Sequence, residues 1–250
     1  MKRKERQHLK ENELAQWIVA AREFADTRSS PLTGIAVAVV VIAAIVVGVL
    51  VYRGRSDSRG QDLLAQAMVA VNAPVVPTTA PTAPGEVPAA AQLGATGSFA
   101  TEEAKLNAAI PKLKAAADAY PGSPAGIQAR YHYAGALAAV GRHADAVKEY
   151  DEVVRRAGAD SLYGRMATLG KADTQSKAGQ VDAAITTWKE LADKKDANLP
   201  EDAILMELGR AYQTKGNTEE ARKTFTQIVD QFPASPYAAE ARAELDSLKS

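Results

Sequence analysis

Hydrophobic side chains are concentrated in one uninterrupted run near the start of the chain. The eighteen residues 35–52 contain no charged side chain, and twelve of them are Val, Ile or Leu. As a helix this run is about 27 Å long, close to the ~30 Å thickness of a bilayer core. Lipid favours a helix over a lone strand, because a strand leaves its backbone polar groups unpaired. The run therefore predicts a transmembrane helix over 32–53, with Tyr52 and Arg53 at the interface.

The flanks of this run argue for an anchor that stays in place. A cleaved signal peptide would lie nearer the start and would end in small residues, whereas this run is followed by YRGRSDSRG. Seven Lys or Arg side chains precede it within residues 1–30, and Arg53, Arg55 and Arg59 follow it closely. The positive-inside rule applied to the whole flanks predicts a cytoplasmic N-terminus, although the nearest charges alone do not.

Residues 1–31 are predicted to form a basic, amphipathic cytoplasmic segment. Two interpretations stay open for this segment: it lies on membrane lipid or a cytosolic partner, or it is a solvated stub. Ala44 and Gly48 of the transmembrane run are four residues apart, a weak indication of self-association between such helices. The apolar positions of the segment, spaced by three and four residues, are Leu14, Trp17, Ile18, Ala21 and Ala25.

A proline-rich stretch interrupts the pattern beyond the membrane. Residues 73–98 hold five of the twelve prolines and one charged side chain, Glu86. Such a composition cannot build a core, so we predict a linker that acts either as an extended spacer or as an inserted loop. A short apolar-faced helix over 54–72 needs a partner, and the helix predicted at 101–119 is the best one. Pro111 within that second helix predicts a kink or a late start.

The rest of the chain repeats one pattern of small and aromatic positions. Gly141, Gly179 and Gly216 are separated by 38 and 37 residues. Alanine follows each glycine by five positions and an aromatic side chain by nine, so both lie on one helical face. A small residue precedes each glycine by seven positions and allows close helix packing. The glycine-aromatic pairs are Gly141 with Tyr150, Gly179 with Trp188, and Gly216 with Phe225.

This spacing predicts antiparallel helix pairs that bury their apolar faces only by stacking. The pattern resembles the tetratricopeptide repeat, most closely in LMELGRAYQTKGNTEEARKTFTQIVDQFP. The third unit is degraded, since Lys171 and Gln175 replace apolar residues and Asp196 stands at the closing proline position. The expected fold is all-α: an N-terminal amphipathic helix, one transmembrane helix and an α-solenoid. The repeat domain is predicted over 99–250, with four units and a capping helix at 237–248.

The order of segments resembles a bacterial envelope family. A stub with KENELAQW, a single span and an array ending in FPASPYAAEARAEL resemble the ancillary Sec translocon subunits. The ending alone is also similar to the Tol-Pal cell-division coordinator and to outer-membrane assembly lipoproteins. The resemblance implies an inner-membrane protein with a periplasmic repeat domain. It implies a chaperone-like or recruiting scaffold at the translocon, or alternatively an adaptor in cell division or outer-membrane or peptidoglycan assembly.

Composition argues against several other classes of function. Thirty basic and thirty acidic side chains leave no charge bias, so nucleic acid is not an expected partner. The chain has no Cys, which removes thiolate catalysis, Cys-ligated zinc and a lipid anchor on cysteine. The three His residues are scattered, and no catalytic motif is present. We therefore expect no enzyme activity, no cofactor and no metal.

The partners expected from the repeat are other proteins. By tetratricopeptide offsets, the first helix of each pair lines a concave groove. Leu169 and Met206 are as compatible with the core as with the groove. His143 and Asp145 are interpreted as a surface cap in preference to an acid/base pair. The predicted groove residues are Gln128, Tyr131, Leu169, Asp173, Met206, Arg210 and Gln213.

Overall fold

The computed structural model describes residues 31–76, 97–194 and 199–248. The predicted amphipathic helix before the membrane run and most of the proline-rich stretch lie outside these residues, as does Asp196. Two compact units divide the chain at Arg55 and Ser56. The helices are α1 (Pro31–Val71), α2 (Glu102–Ala119), α3 (Pro124–Ala139), α4 (His143–Ala157), α5 (Leu162–Lys177), α6 (Val181–Asp193), α7 (Glu201–Thr214), α8 (Thr218–Gln231) and α9 (Tyr237–Ser247).

Helix α1 carries the apolar run. Its segment Ala38–Val71 has a mean hydropathy of 2.0 over its most apolar window and is long and apolar enough to cross a membrane. The apolar side chains described from Val39 to Val51 are all exposed. The sequence pattern predicted separate helices over 32–53 and 54–72, and this was wrong in one respect. A single helix of 41 residues covers both, since Arg53–Gln61 contains no Pro that would break it.

The second unit is a stack of helix pairs, which confirms the all-α solenoid. Residues near the C-terminal end of α1 pack against α2, since Ala67 and Ala70 share a core cluster with Ala109 and Leu113. The pairs α3/α4, α5/α6 and α7/α8 follow, and α9 packs against α8. Each helix mainly contacts its neighbours along the chain, as expected of a solenoid.

The repeated glycine closes the first helix of three pairs, as the spacing predicted. Gly141, Gly179 and Gly216 have φ values of 80°, 74° and 76°, a left-handed conformation that favours glycine. After Gly141, the amide of Arg142 donates to the carbonyl of Leu137 at 2.8 Å, and the Gly141 amide donates to Ala138 at 3.1 Å. This is the Schellman pattern, and both other turns repeat it.

A second recurring device starts two of the first helices. The Ser123 hydroxyl accepts from the amide of Gly126 at 3.0 Å and donates to the carbonyl of Tyr120 at 2.9 Å. Ser161 does the same with Gly164 and Gly158 before α5. A Cβ on Gly126 or Gly164 would collide with that carbonyl oxygen. Close backbone approach therefore requires glycine three residues after the capping serine.

The two Ser-Pro pairs, at 123–124 and at 235–236, behave differently from each other. Ser123 caps α3 and Pro124 is its first residue. At the other segment, the helix begins one residue later, at Tyr237, and the residue before it is Pro236. The Ser235 hydroxyl instead donates to Asp202 of α7 at 2.6 Å. Ser235 therefore links the capping helix to the preceding pair.

The ends of the proline-rich stretch lie side by side. The amide of Val76 donates to the carbonyl of Phe99 at 2.9 Å, and the amide of Phe99 donates to the carbonyl of Pro74 at 3.0 Å. Val75 and Phe99 thus form a parallel β-bridge. Because the two ends are joined, the stretch is inserted between α1 and α2, which favours the interpretation as an insertion over that of a spacer that lengthens the array.

Helix α2 passes through Pro111 without a late start. It begins at Glu102, with the Thr101 hydroxyl accepting from the amide of Ala104 at 3.1 Å. Its buried side chains, Ala109, Leu113, Ala116 and Ala117, face α1 and α3. The nine residues before Pro111 are helical, so of the two predicted alternatives, a kink or a late start, the late start does not occur.

Candidate functional site

The inner face of the array is formed by the first helix of each pair. Helix α3 contacts α5 and helix α7 contacts α9, in addition to the contacts within each pair. Six of the seven predicted groove residues are half-buried on these helices: Gln128, Tyr131, Leu169, Asp173, Arg210 and Gln213. Half-burial is the exposure expected of side chains that line an open face and still touch their neighbours.

Met206 is a correction to this set. Its side chain is 0% exposed and belongs to the core formed by α6, α7, α8 and α9. The sequence alone is equally compatible with a core position and a groove position for Met206, and the structure places it in the core. Leu169 is half-buried and packs against the edge of the same core. Met206 therefore offers no surface to a partner.

The C-terminal end of the inner face is held by the capping helix. The Arg210 guanidinium pairs with Glu207 on its own helix at 2.6 Å and with Glu240 of α9. Gln213 donates to Glu244, also of α9, at 3.0 Å. Arg210 and Gln213 are thus bonded to side chains of the capping helix. The part of the inner face that the capping helix does not contact lies over α3 and α5.

Three tyrosines meet at this part of the inner face. The Tyr131 ring of α3 lies 6.0 Å from that of Tyr150 of α4 and 5.8 Å from that of Tyr163 of α5, measured between centroids. The imidazole of His132 lies 5.6 Å from Tyr131, edge to face. Tyr131, His132 and Tyr163 are half-buried, whereas Tyr150 is 5% exposed. We call Tyr131, Tyr150 and Tyr163 the tyrosine cluster.

Tyr150 reaches this cluster from the outer helix through a gap lined by glycine. A Cβ on Gly170 of α5 would lie 2.6 Å from Tyr150 Cζ, and one on Gly135 of α3 would lie 3.6 Å from its hydroxyl oxygen. The aromatic position of this unit therefore fills the space between its own helix pair and the next one. The sequence did not indicate that Tyr163 and Gly170 would complete the arrangement, because neither occupies a repeat position.

Burial raises the pKa of Tyr150 to about 12, with smaller contributions from Tyr131 and the negative charge of Asp173. Burial lowers the pKa of His132, and it raises that of Tyr131, with help from Tyr163. At neutral pH the phenols of Tyr131 and Tyr150 are therefore uncharged. Asp173, at its edge, pairs with Lys177 at 2.8 Å. The cluster presents aromatic faces beside a balanced ion pair.

We expect Tyr150→Phe to change the alkaline stability of the array. An unfolded tyrosine ionises near pH 10, and the folded one near 12, so the unfolded chain loses this proton first. The stability that the neutral phenol contributes is complete below about pH 10 and is lost as the pH rises towards 12. Urea unfolding at pH 9 and about 11.5 should show a smaller loss for the Phe variant than for wild type. Equal losses would contradict the burial of this phenol.

A buried arginine fixes the helix that carries Tyr131. Arg130 of α3 has 8% of its side chain exposed and pairs with Asp118 of α2 at 2.6 Å and with Glu149 of α4 at 2.5 Å. Burial disfavours its charge, but hydrogen bonds to the two carboxylates raise its pKa overall. Hydrogen bonding to Lys114, and then to Arg130, lowers the pKa of Asp118. Three helices are thus tied together beside the tyrosine cluster.

The described residues offer no grouping of His, Asp and Glu suited to a metal ion. Nor do His143 and Asp145 form the acid/base pair considered from the sequence. Asp145, in the first turn of α4, pairs instead with Arg142 at 2.8 Å at the surface. The inner face carries aromatic contacts, hydrogen bonds and the ion pairs of Asp173 and Arg210.

Comparison with known proteins identifies the family. Residues 88–250 match the profile of YfiO, outer membrane lipoprotein, which is more than half of the chain. The chain belongs to this family. It is accordingly a tetratricopeptide-like interaction scaffold of the envelope, and the apolar α1 fits a membrane-associated protein. The family match does not include the apolar run, and the 250 residues have no Cys that could carry a lipid.

Solved structures agree on the fold. A Podosopora anserina kinesin light chain protein with nearly identical tetratricopeptide-like repeats has a TM-score of 0.51 at 20% identity, covering 64% of this chain and 82% of its own. A substituted form of the same protein has a TM-score of 0.51 at 19% identity, and the alignment covers 64% of this chain and 81% of that one. The comparison with curated proteins gives no match. The family resemblance to ancillary Sec translocon subunits stays a prediction.

Proposed function

We propose that this protein is a membrane-anchored scaffold whose extracytoplasmic array binds segments of envelope proteins at the tyrosine cluster. The observation that carries the proposal is the meeting of Tyr131, Tyr150 and Tyr163 at the inner face, between helices α3, α4 and α5. The half-buried rings of Tyr131 and Tyr163 supply contact area at this face, and a tyrosine ring has few side-chain torsions. Little side-chain entropy is then lost when a partner binds.

The neutrality of the cluster favours an uncharged stretch of the partner. The phenols of Tyr131 and Tyr150 keep their protons at neutral pH, and the adjacent Asp173 is paired with Lys177. Aromatic rings with a hydroxyl can pack against apolar side chains and also hydrogen-bond a peptide backbone. The expected ligand is therefore an extended protein segment with apolar or aromatic side chains, and not a carboxylate or phosphate group.

Two envelope processes are proposed, in order of support. The first is an adaptor in outer-membrane or peptidoglycan assembly or in cell division, and the match to an outer membrane lipoprotein family supports an envelope scaffold of this kind. The second proposal is recruitment or chaperoning at the Sec translocon. Its support is the order of the basic segment, the apolar run and the array, with the array outside the cytoplasm.

Site-specific photocrosslinking in intact cells tests both the site and the process. A photoreactive residue at Tyr163 should capture a partner, because this half-buried ring lies in the tyrosine cluster. The matched control is Lys223, an exposed residue on the second helix of its pair. Mass spectrometry of the adduct then identifies the process: an outer-membrane assembly, peptidoglycan or division protein for the first proposal, a translocon component for the second.

Three outcomes would contradict the proposed function. Equal capture from Tyr163 and Lys223 would mean that the inner face is not the binding surface. Capture of cytosolic proteins alone would overturn the orientation of the array. A variant with Tyr131→Ala that keeps its helical circular dichroism but crosslinks as wild type from Tyr163 would remove the cluster from the site.

A further inference from the structure

Helix α5 combines features that weaken a helix in the middle of the array. It contains two glycines, Gly164 and Gly170, and two threonines, Thr168 and Thr174, within 16 residues. Glycine and threonine are among the poorer helix formers. Helix α3 also has two glycines, but six alanines offset them, whereas α5 has two alanines.

The threonines of α5 bond back to the glycines. The Thr168 hydroxyl donates to the carbonyl of Gly164 at 2.9 Å, and the Thr174 hydroxyl donates to that of Gly170 at 2.6 Å. Such bonds to the residue four positions earlier compete with the helical bond and bend helices. Kinks concentrate where small residues and such bonds coincide. Two weakened points of the helix therefore lie six residues apart, or about one and two-thirds turns.

The hydrophobic core also divides at α5. Ala167 belongs to the cluster formed with α1, α2, α3 and α4, whereas Ala172 belongs to the cluster of α6 to α9. Within the α5/α6 pair, polar groups occupy buried positions: the Thr187 hydroxyl donates to Gln175 at 3.0 Å. The indole nitrogen of Trp188 in the same pair is buried without a hydrogen-bond partner. This pair gains less from apolar burial than its neighbours.

We infer that α5 is a flexure at which the array bends and opens locally, so that the part up to α4 and the part from α6 move relative to each other. In a solenoid each pair contacts only its neighbours, so softening one pair uncouples the two sides. Leu169 and Asp173 of the inner face lie on this helix, and bending it changes the width of that face. The flexure is a property of the free chain and does not depend on the identity of any partner.

Hydrogen–deuterium exchange of the full chain in detergent micelles tests the flexure. After correction for intrinsic rates, amides of α5 should exchange at least about tenfold faster than those of α3 and α7. Thr168→Ala removes one bond back to glycine and improves helix propensity, and should slow α5 exchange roughly threefold. Thr168→Val, which keeps the branched shape without the hydroxyl, should act in the same direction.

Thr214→Ala is the matched control, because Thr214 bonds back to the Arg210 carbonyl at 2.9 Å in α7. This variant should leave α5 exchange unchanged. Equal exchange rates in α3, α5 and α7 would overturn the inference, since the array would then open as one unit. Fast exchange of α5 that neither Thr168 variant slows would also overturn it, because the threonine bonds would not be its source.

Discussion

Gly209→Ala is expected to lower the free energy of unfolding of the array by about 2 kcal/mol. A Cβ at this buried position would lie 2.8 Å from Phe225 Cδ1, and Phe225 is 0% exposed. Neither the ring nor helix α7 has free space to move into, so the added methyl group strains both. Alanine is the better helix former by up to about 1 kcal/mol, which offsets part of the strain. Thermal or urea unfolding followed by circular dichroism measures the net loss.

Gly135→Ala is the matched control for this substitution. Gly135 also lies within a first helix, but a Cβ there would meet only the Tyr150 hydroxyl, at an ordinary distance of 3.6 Å. We expect this variant to be as stable as wild type or more stable by about 0.5 kcal/mol. If both glycine variants lost equal stability, tight seating of the aromatic ring would not be the reason for Gly209.

Removing both carboxylates that hold Arg130 is expected to have a larger effect. The double variant Asp118→Asn, Glu149→Gln keeps the shape of both side chains but leaves the buried guanidinium without a counter-charge. We expect a loss of about 3 kcal/mol in the free energy of unfolding at neutral pH, since an uncompensated buried charge is strongly destabilising. Urea unfolding by circular dichroism measures this loss. Asp118 is 45% exposed, so most of the effect should come from Glu149, which is 23% exposed.

Adding Arg130→Met to this double variant separates charge from shape. Methionine fills much of the same space without a charge, so the triple variant should recover more than half of the lost stability. A double variant as stable as wild type would show that water reaches the guanidinium. A triple variant no more stable than the double one would show that packing, and not the uncompensated charge, is what the carboxylates protect.

The sequence predicts features of the fold that depend on local spacing. Gly141, Gly179 and Gly216 end their helices as expected, because a left-handed closing residue requires glycine whatever lies around it. The aromatic wedge at Tyr150 follows from helical periodicity in the same way. The sequence pattern predicts two helices where the structure has the single helix α1. The change from apolar to polar composition near Arg53 resembles a helix end, although the helix continues through it.

Features that depend on contacts between distant residues were not predicted. Arg130 pairs with residues 12 and 19 positions away, and no repeat offset relates them. Met206 and Tyr131 occupy equivalent offsets, yet the first is buried and the second half-exposed. The capping helix causes part of this difference, because it covers the end of the array where α7 lies. The tyrosine cluster likewise needs Tyr163, which lies outside the repeat pattern.

The backbone bridge between Val75 and Phe99 has a consequence for how this chain can vary. Because it clamps the two sides of the insertion beside the α1/α2 hairpin, sequence between them can grow or shrink without moving either helix. Doubling the number of residues in a loop raises the free-energy cost of closing it by only about 0.6 kcal/mol, because chain entropy depends weakly on loop length. The insertion that this bridge closes is therefore a site that tolerates added sequence. A fluorescent domain inserted there would be carried on the array in living cells while the stacked pairs fold undisturbed.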